Sequence, residues 1–69
     1  MAQEVLSVPE VTCQHCVNAL EGAVGALDGV DSVKVDLVRK DITIDYDDAR
    51  VGRASFVGAI TGEGYQVGA

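Results

Sequence analysis

Val33-Lys34-Val35-Asp36-Leu37-Val38-Arg39-Lys40-Asp41-Ile42-Thr43-Ile44-Asp45-Tyr46 is the stretch that decides the fold. Val33, Val35 and Leu37 alternate with Lys34 and Asp36, and beyond the Arg39-Lys40 turn Ile42, Ile44 and Tyr46 alternate with Thr43 and Asp45. A period of two marks half-buried strands. The short connection predicts an antiparallel hairpin. Its apolar faces must share one core, because a slip of one residue would turn either face to water.

Toward the N-terminus, Val17, Leu20, Val24 and Leu27 recur at steps of three, four and three, with Asn18 and Glu21 on the other side, which is the helical period. A first helix is expected from Cys16 onward, closed by Asp28-Gly29, where glycine tolerates the left-handed conformation. Gly22 and Gly25 each weaken it by about 1 kcal/mol relative to Ala if interior, so it depends on its packed face. Val5, Leu6, Ser7 and Val8 form a β-prone run that stops at Pro9, which predicts a first strand. Toward the C-terminus, Phe56, Val57 and Ile60 suggest a second helix ended by Gly62 or Gly64, and Tyr65, Gln66 and Val67 suffice only for an edge strand.

The expected order is therefore strand, helix, strand, strand, helix, strand. This is an α+β fold with one four-stranded antiparallel sheet and two helices on one face. With 69 residues the chain is expected to form a single domain spanning 1–69, burying roughly 60% of its unfolded surface.

Composition narrows the function. The chain is 48% hydrophobic and 23% charged, which excludes disorder. Its net charge is −6 and its five Lys and Arg are scattered at 34, 39, 40, 50 and 53, which excludes a phosphate-tracking surface for nucleic acid or acidic lipid. The N-terminus has no basic region followed by a signal-length apolar stretch, and no run approaches the roughly 20 apolar residues of a membrane span. A soluble, cytoplasmic protein is expected, and its two cysteines are then expected to be reduced thiols with metal or redox work.

Those cysteines lie in Val11-Thr12-Cys13-Gln14-His15-Cys16, between the first strand and the first helix. A two-residue spacing lets both sulfurs converge where the chain turns from extended to helical. The positive end of the helix favours the thiolate there, most of all at Cys16. Thr12 is a candidate cap for that end, or a partner for a loop amide. A structural zinc site takes four ligands, and the chain offers one Cys pair and one His; copper(I) is soft, prefers thiolate sulfur and accepts fewer ligands. A two-sulfur site is open to attack by another protein's thiolates, so transfer is its natural use. His15 is a further candidate beside the pair, as a third ligand or, more simply, a solvated loop residue influencing thiol protonation or the sharing of copper between two molecules. Tyr65 reads by default as packing.

Thr12-Cys13-Gln14-His15-Cys16-Val17-Asn18-Ala19-Leu20, followed by Leu27-Asp28-Gly29-Val30, the alternation at 33–37, Ala59-Ile60 and Gly64-Tyr65, resembles the heavy-metal-associated domain. More narrowly, it resembles bacterial copper chaperones of the CopZ-like type, over residues 5 to 67. The resemblance implies a ferredoxin-like βαββαβ fold and copper(I) held by Cys13 and Cys16. It also implies delivery to the soluble metal-binding domain of a copper-transporting P-type ATPase, by a carrier that is not an enzyme. That carrier would be a monomer when apo and could form a copper-bridged homodimer. The family pattern has Gly-Met where this chain has Glu10-Val11, so Val11 is expected to pack beneath the loop. Tyr65 matches a position near the metal, where a residue can shield the thiolates or tune release. The family also contains ATPase domains and mercury, zinc or cadmium relatives. A mercury carrier would need an export signal, and a zinc or cadmium domain a further ligand, for which Glu10 is the adjacent candidate. Starting with Met and lacking spans, the chain is expected to be a free-standing carrier. The enzymatic alternative is a thiol–disulfide oxidoreductase, but the only proline, Pro9, precedes the motif, whereas a thioredoxin-like site is completed by a later cis-proline.

Overall fold

In a computed structural model describing residues 2–68, the elements in chain order are β1 (Ala2–Ser7), α1 (Gln14–Gly25), β2 (Val30–Asp36), β3 (Asp41–Tyr46) and α2 (Arg53–Gly62). The hairpin is formed by β2 and β3, with Val35 opposite Ile42 and Val33 opposite Ile44. Its turn is built by Asp36, whose Oδ1 accepts hydrogen bonds from the backbone N–H of Val38 at 2.9 Å and of Arg39 at 3.1 Å. This is the local carboxylate-to-backbone bonding that makes Asp a turn former. The same amides, that of Arg39 foremost, hold the Asp36 carboxyl below its ordinary range. β1 pairs antiparallel with the other edge of β3, so the strand order is β1-β3-β2.

Alternation on β3 sets the layers. Ile42, Ile44 and Tyr46 are buried, while Thr43 and Asp45 stand half-exposed on the opposite face. Leu6 and Val8 from the β1 side, Val17, Leu20 and Val24 of α1, and Phe56 and Ile60 of α2 close over the buried face as one cluster. The ring of Phe56 meets Tyr46 edge-on, with centroids 4.7 Å apart and planes at 76°, the arrangement that aromatic quadrupoles favour. No helix among the described residues is long and apolar enough to cross a membrane.

Three expectations need correction. β1 starts at Ala2 rather than Val5, because pairing with β3 continues to Ala2 opposite Tyr46. α1 ends at Gly25, with Ala26 as its cap, so Asp28-Gly29 does not close it. Gly29 does take the left-handed conformation, at φ 101°, but in the turn into β2, where an added Cβ would lie 2.8 Å from Cβ of Arg50.

The third correction concerns the sheet, which has three strands among the described residues, not four. Tyr65, Gln66 and Val67 run as irregular chain. A single backbone bond from the Gly68 N–H to the Ser7 carbonyl, 2.7 Å, ties this segment to β1. A ladder needs successive backbone groups free to pair. Here the Tyr65 N–H is bound to the Ile60 carbonyl at 3.3 Å and the Gln66 N–H to Oε1 of Glu10 at 2.9 Å, so neither is available to β1.

Replacing Phe56 with Ala removes the ring that spans α2 and the sheet, and should cost about 3–5 kcal/mol. Urea unfolding checks this as a lowered midpoint with an unchanged slope.

Candidate metal centre

β1 ends on Ser7, and residues 8–13 descend into the core before rising to α1. Val8 and Val11 are fully buried, and the Val11 N–H returns to the Val8 carbonyl at 3.1 Å. The expected packing of Val11 beneath the loop is thus what the structure has. Pinned from below, the loop exposes Thr12, Cys13, Gln14 and His15.

Cys13 is the residue at which extended chain becomes helix. Its backbone is extended (φ −153°, ψ 170°) while its carbonyl accepts the first helical bond, from the Val17 N–H at 3.2 Å. Thr12 is therefore not the cap, and no side chain caps this end. Cys16 lies one turn on, which brings its Sγ to 3.4 Å from Sγ of Cys13. Both thiols are free, Cys13 exposed and Cys16 half-buried against the core.

The surroundings favour a thiolate at Cys16, whose pKa falls from its ordinary value to about 6. The hydroxyl of Tyr65 contributes most by donating toward the sulfur, followed by the backbone N–H of Thr12, the Cys13 thiol and the Cys13 N–H, against a smaller opposing effect of desolvation. Thr12 thus acts through its amide rather than its hydroxyl. Tyr65 shows the converse: donation to Cys16 and desolvation push its own pKa up to about 12, keeping its proton in place. All these donors are neutral groups, so the thiolate of this acidic chain is held without any basic side chain.

Tyr65 reaches the site because of how α2 ends. After the cap at Glu63, Gly64 turns left-handed at φ 91°; its N–H bonds to the Thr61 carbonyl at 3.0 Å and that of Tyr65 to the Ile60 carbonyl at 3.3 Å. This paired bonding is the Schellman motif, which requires a residue like glycine at the left-handed position and folds the next side chain back onto the helix. Tyr65 accordingly packs, half-buried, against the core cluster rather than standing on an edge strand.

His15 stays on the exposed side of the turn, and among the described residues no three of His, Cys, Asp and Glu converge into a metal-holding group. Glu10 is likewise outside such a group, its carboxylate engaged with Gln66. The link from Glu10 to the segment bearing Tyr65 was not legible in the sequence, where Glu10 and Gln66 stand 56 positions apart. The arrangement chemically offers an exposed, two-sulfur, thiolate-prone site with a phenol beside it.

The heavy-metal-associated domain model matches residues 5–66. A copper chaperone CopZ of Staphylococcus aureus is 39% identical over 67 residues, covering 97% of this chain and 98% of that protein. Among solved structures, a CopZ metallochaperone superposes with a TM-score of 0.95 at 37% identity, covering 97% of this chain and all (100%) of the other. A yeast copper transporter domain, solved in apo and Cu(I)-loaded states, superposes at 0.90 with 27% identity, covering 97% of this chain and 92% of that one.

Alkylation of Cys16 by iodoacetamide proceeds through the thiolate, so its rate should rise with pH around a midpoint near the value of about 6 and fall away below it. In Tyr65→Phe the largest donor is gone and the midpoint should move upward, as read by mass spectrometry of the labelled peptide over a pH series.

Proposed function

The chain belongs to the heavy-metal-associated domain family, and from that membership we propose that it is a cytoplasmic copper(I) chaperone, a carrier and not an enzyme, folded as a single domain. The observation that supports this most is the pair of free thiols at the start of α1, 3.4 Å apart and half open to solvent.

Cys13 and Cys16 are the proposed ligands. With metal–thiolate bonds of about 2.3 Å, the length known for zinc, two sulfurs on opposite sides of one ion stand about 4.6 Å apart. Opening from 3.4 Å to that separation needs only a side-chain adjustment at exposed Cys13. Two ligands suit a soft ion content with low coordination and leave zinc short of its usual four. The relatives' names support copper, and the yeast domain solved with Cu(I) supports the oxidation state within this fold.

Delivery follows from the openness of the site. A second protein's thiolates can add to the bound ion while Cys13 or Cys16 leaves, so the ion passes through shared coordination without being free. The proposed acceptor is the soluble metal-binding domain of a copper-transporting P-type ATPase. The similarity of this chain to a copper transporter domain supports an acceptor of matching fold. Tyr65 is proposed to shield the thiolates and Thr12 to stabilise them through its amide, with His15 as a solvated neighbour of the pair.

Anaerobic titration of the reduced protein with copper(I) against a chromophoric chelator tests the reading. The protein should withdraw one copper from the chelator, zinc should not compete, and Cys16→Ser should lower affinity by more than about a hundredfold while circular dichroism stays unchanged. Failure of the folded, reduced protein to compete would overturn copper carriage; unfolding of Cys16→Ser would make the cysteine structural.

A further inference from the structure

We propose that Glu10 is the latch that holds Tyr65 over the cysteine pair: its carboxylate captures the backbone N–H of Gln66 and so fixes the chain immediately after the tyrosine.

The segment carrying Tyr65 packs Tyr65 and Val67 against the core and adds a small number of polar ties. Before the tyrosine, the Schellman turn ties the Tyr65 N–H to Ile60. After it, the next backbone bond runs from Gly68 to Ser7. Between the two, the 2.9 Å bond from the Gln66 N–H to Oε1 of Glu10 is the side-chain tie that joins this segment to the cysteine loop. Glu10 comes three residues before Cys13, directly ahead of buried Val11, so its backbone is anchored to the same floor as the cysteines. The carboxylate therefore sets the distance between the loop that bears the sulfurs and the segment that bears the phenol. A hydrogen bond to an ionised acceptor is stronger than a neutral one, and it needs an acceptor at this atom rather than a particular volume.

Among the described residues, Glu10 also occupies the one backbone donor between the tyrosine and the Gly68–Ser7 bond that the structure pairs with a side chain. By taking the Gln66 amide it fixes where the chain runs directly after Tyr65. The tie is a positioning device, acting on the metal only through Tyr65. Its consequence for copper rests on the carrier function proposed above; the tie itself exists in the metal-free protein.

The experiment uses the apo protein first, so that its outcome does not depend on copper binding. Amide hydrogen exchange at Gln66 and the cross-relaxation between Tyr65 ring protons and Cys16 β-protons are measured by NMR in the parent, Glu10→Gln and Glu10→Ala. Glu10→Ala should speed Gln66 exchange about tenfold and weaken the Tyr65–Cys16 cross-peak, with core amides such as that of Ile44 unchanged; Glu10→Gln, which keeps the acceptor oxygen, should retain most of both. In the copper(I)-loaded proteins, capture of the metal by a chelator should be several-fold faster in Glu10→Ala than in the parent, and Tyr65→Phe should abolish that difference. Unchanged Gln66 exchange in Glu10→Ala, or a Glu10→Gln variant as loose as Glu10→Ala, would overturn the latch whatever the outcome with copper. An equal acceleration of capture by Glu10→Ala on the Tyr65→Phe background would show that Glu10 does not act through Tyr65.

Discussion

Everything in this molecule leans on one face of β3. Ile42, Ile44 and Tyr46 stand in a row on the central strand, and each of the other elements contributes its apolar side chains to that row. Because a strand's side chains alternate strictly, this face is fixed once the register with β1 and β2 is fixed, and the register admits no half-measures. A chain this small has a single cluster of buried residues to depend on. The cysteine loop inherits its position from it: Val8 and Val11 belong to the same cluster, so the loop is held from below at two points while its upper side is free.

That division between a rigid floor and an open roof gives the site its character. Where extended chain becomes helix, backbone N–H groups are necessarily left without helical partners. Here Cys13 occupies that junction and offers no side-chain oxygen to satisfy them. The backbone N–H groups of Thr12 and Cys13 are among the groups that lower the Cys16 pKa.

Charge reinforces the point. In a chain of net charge −6, a thiolate gains nothing from the overall field, and no lysine or arginine is among the groups that lower the Cys16 pKa. Dipolar donors do the stabilising, the Tyr65 hydroxyl first among them. Neutral donors hold an anion without adding a cation that would repel an arriving metal ion.

The sequence by itself determined the hairpin, both helices, the apolar face of each and the location of the cysteine pair at the turn into α1. Period-two and period-3.6 patterns report which residues face inward, and a two-residue spacing at a helix start brings sulfurs together by local geometry alone. The end of α2 was legible only as Gly62 or Gly64, and the structure puts the left-handed turn at Gly64. What only the tertiary structure decided is how the chain ends are spent. Residues 65–67 stay out of the sheet while the Gln66 N–H is bound to the carboxylate of Glu10, a group far away in sequence. Tyr65 is likewise placed by the turn after α2 and not by an edge strand. Periodicity records the burial of side chains, whereas these choices turn on which backbone donor meets which acceptor, and that is set only when the loop before Cys13 and the turn after α2 are brought to the same end of the sheet.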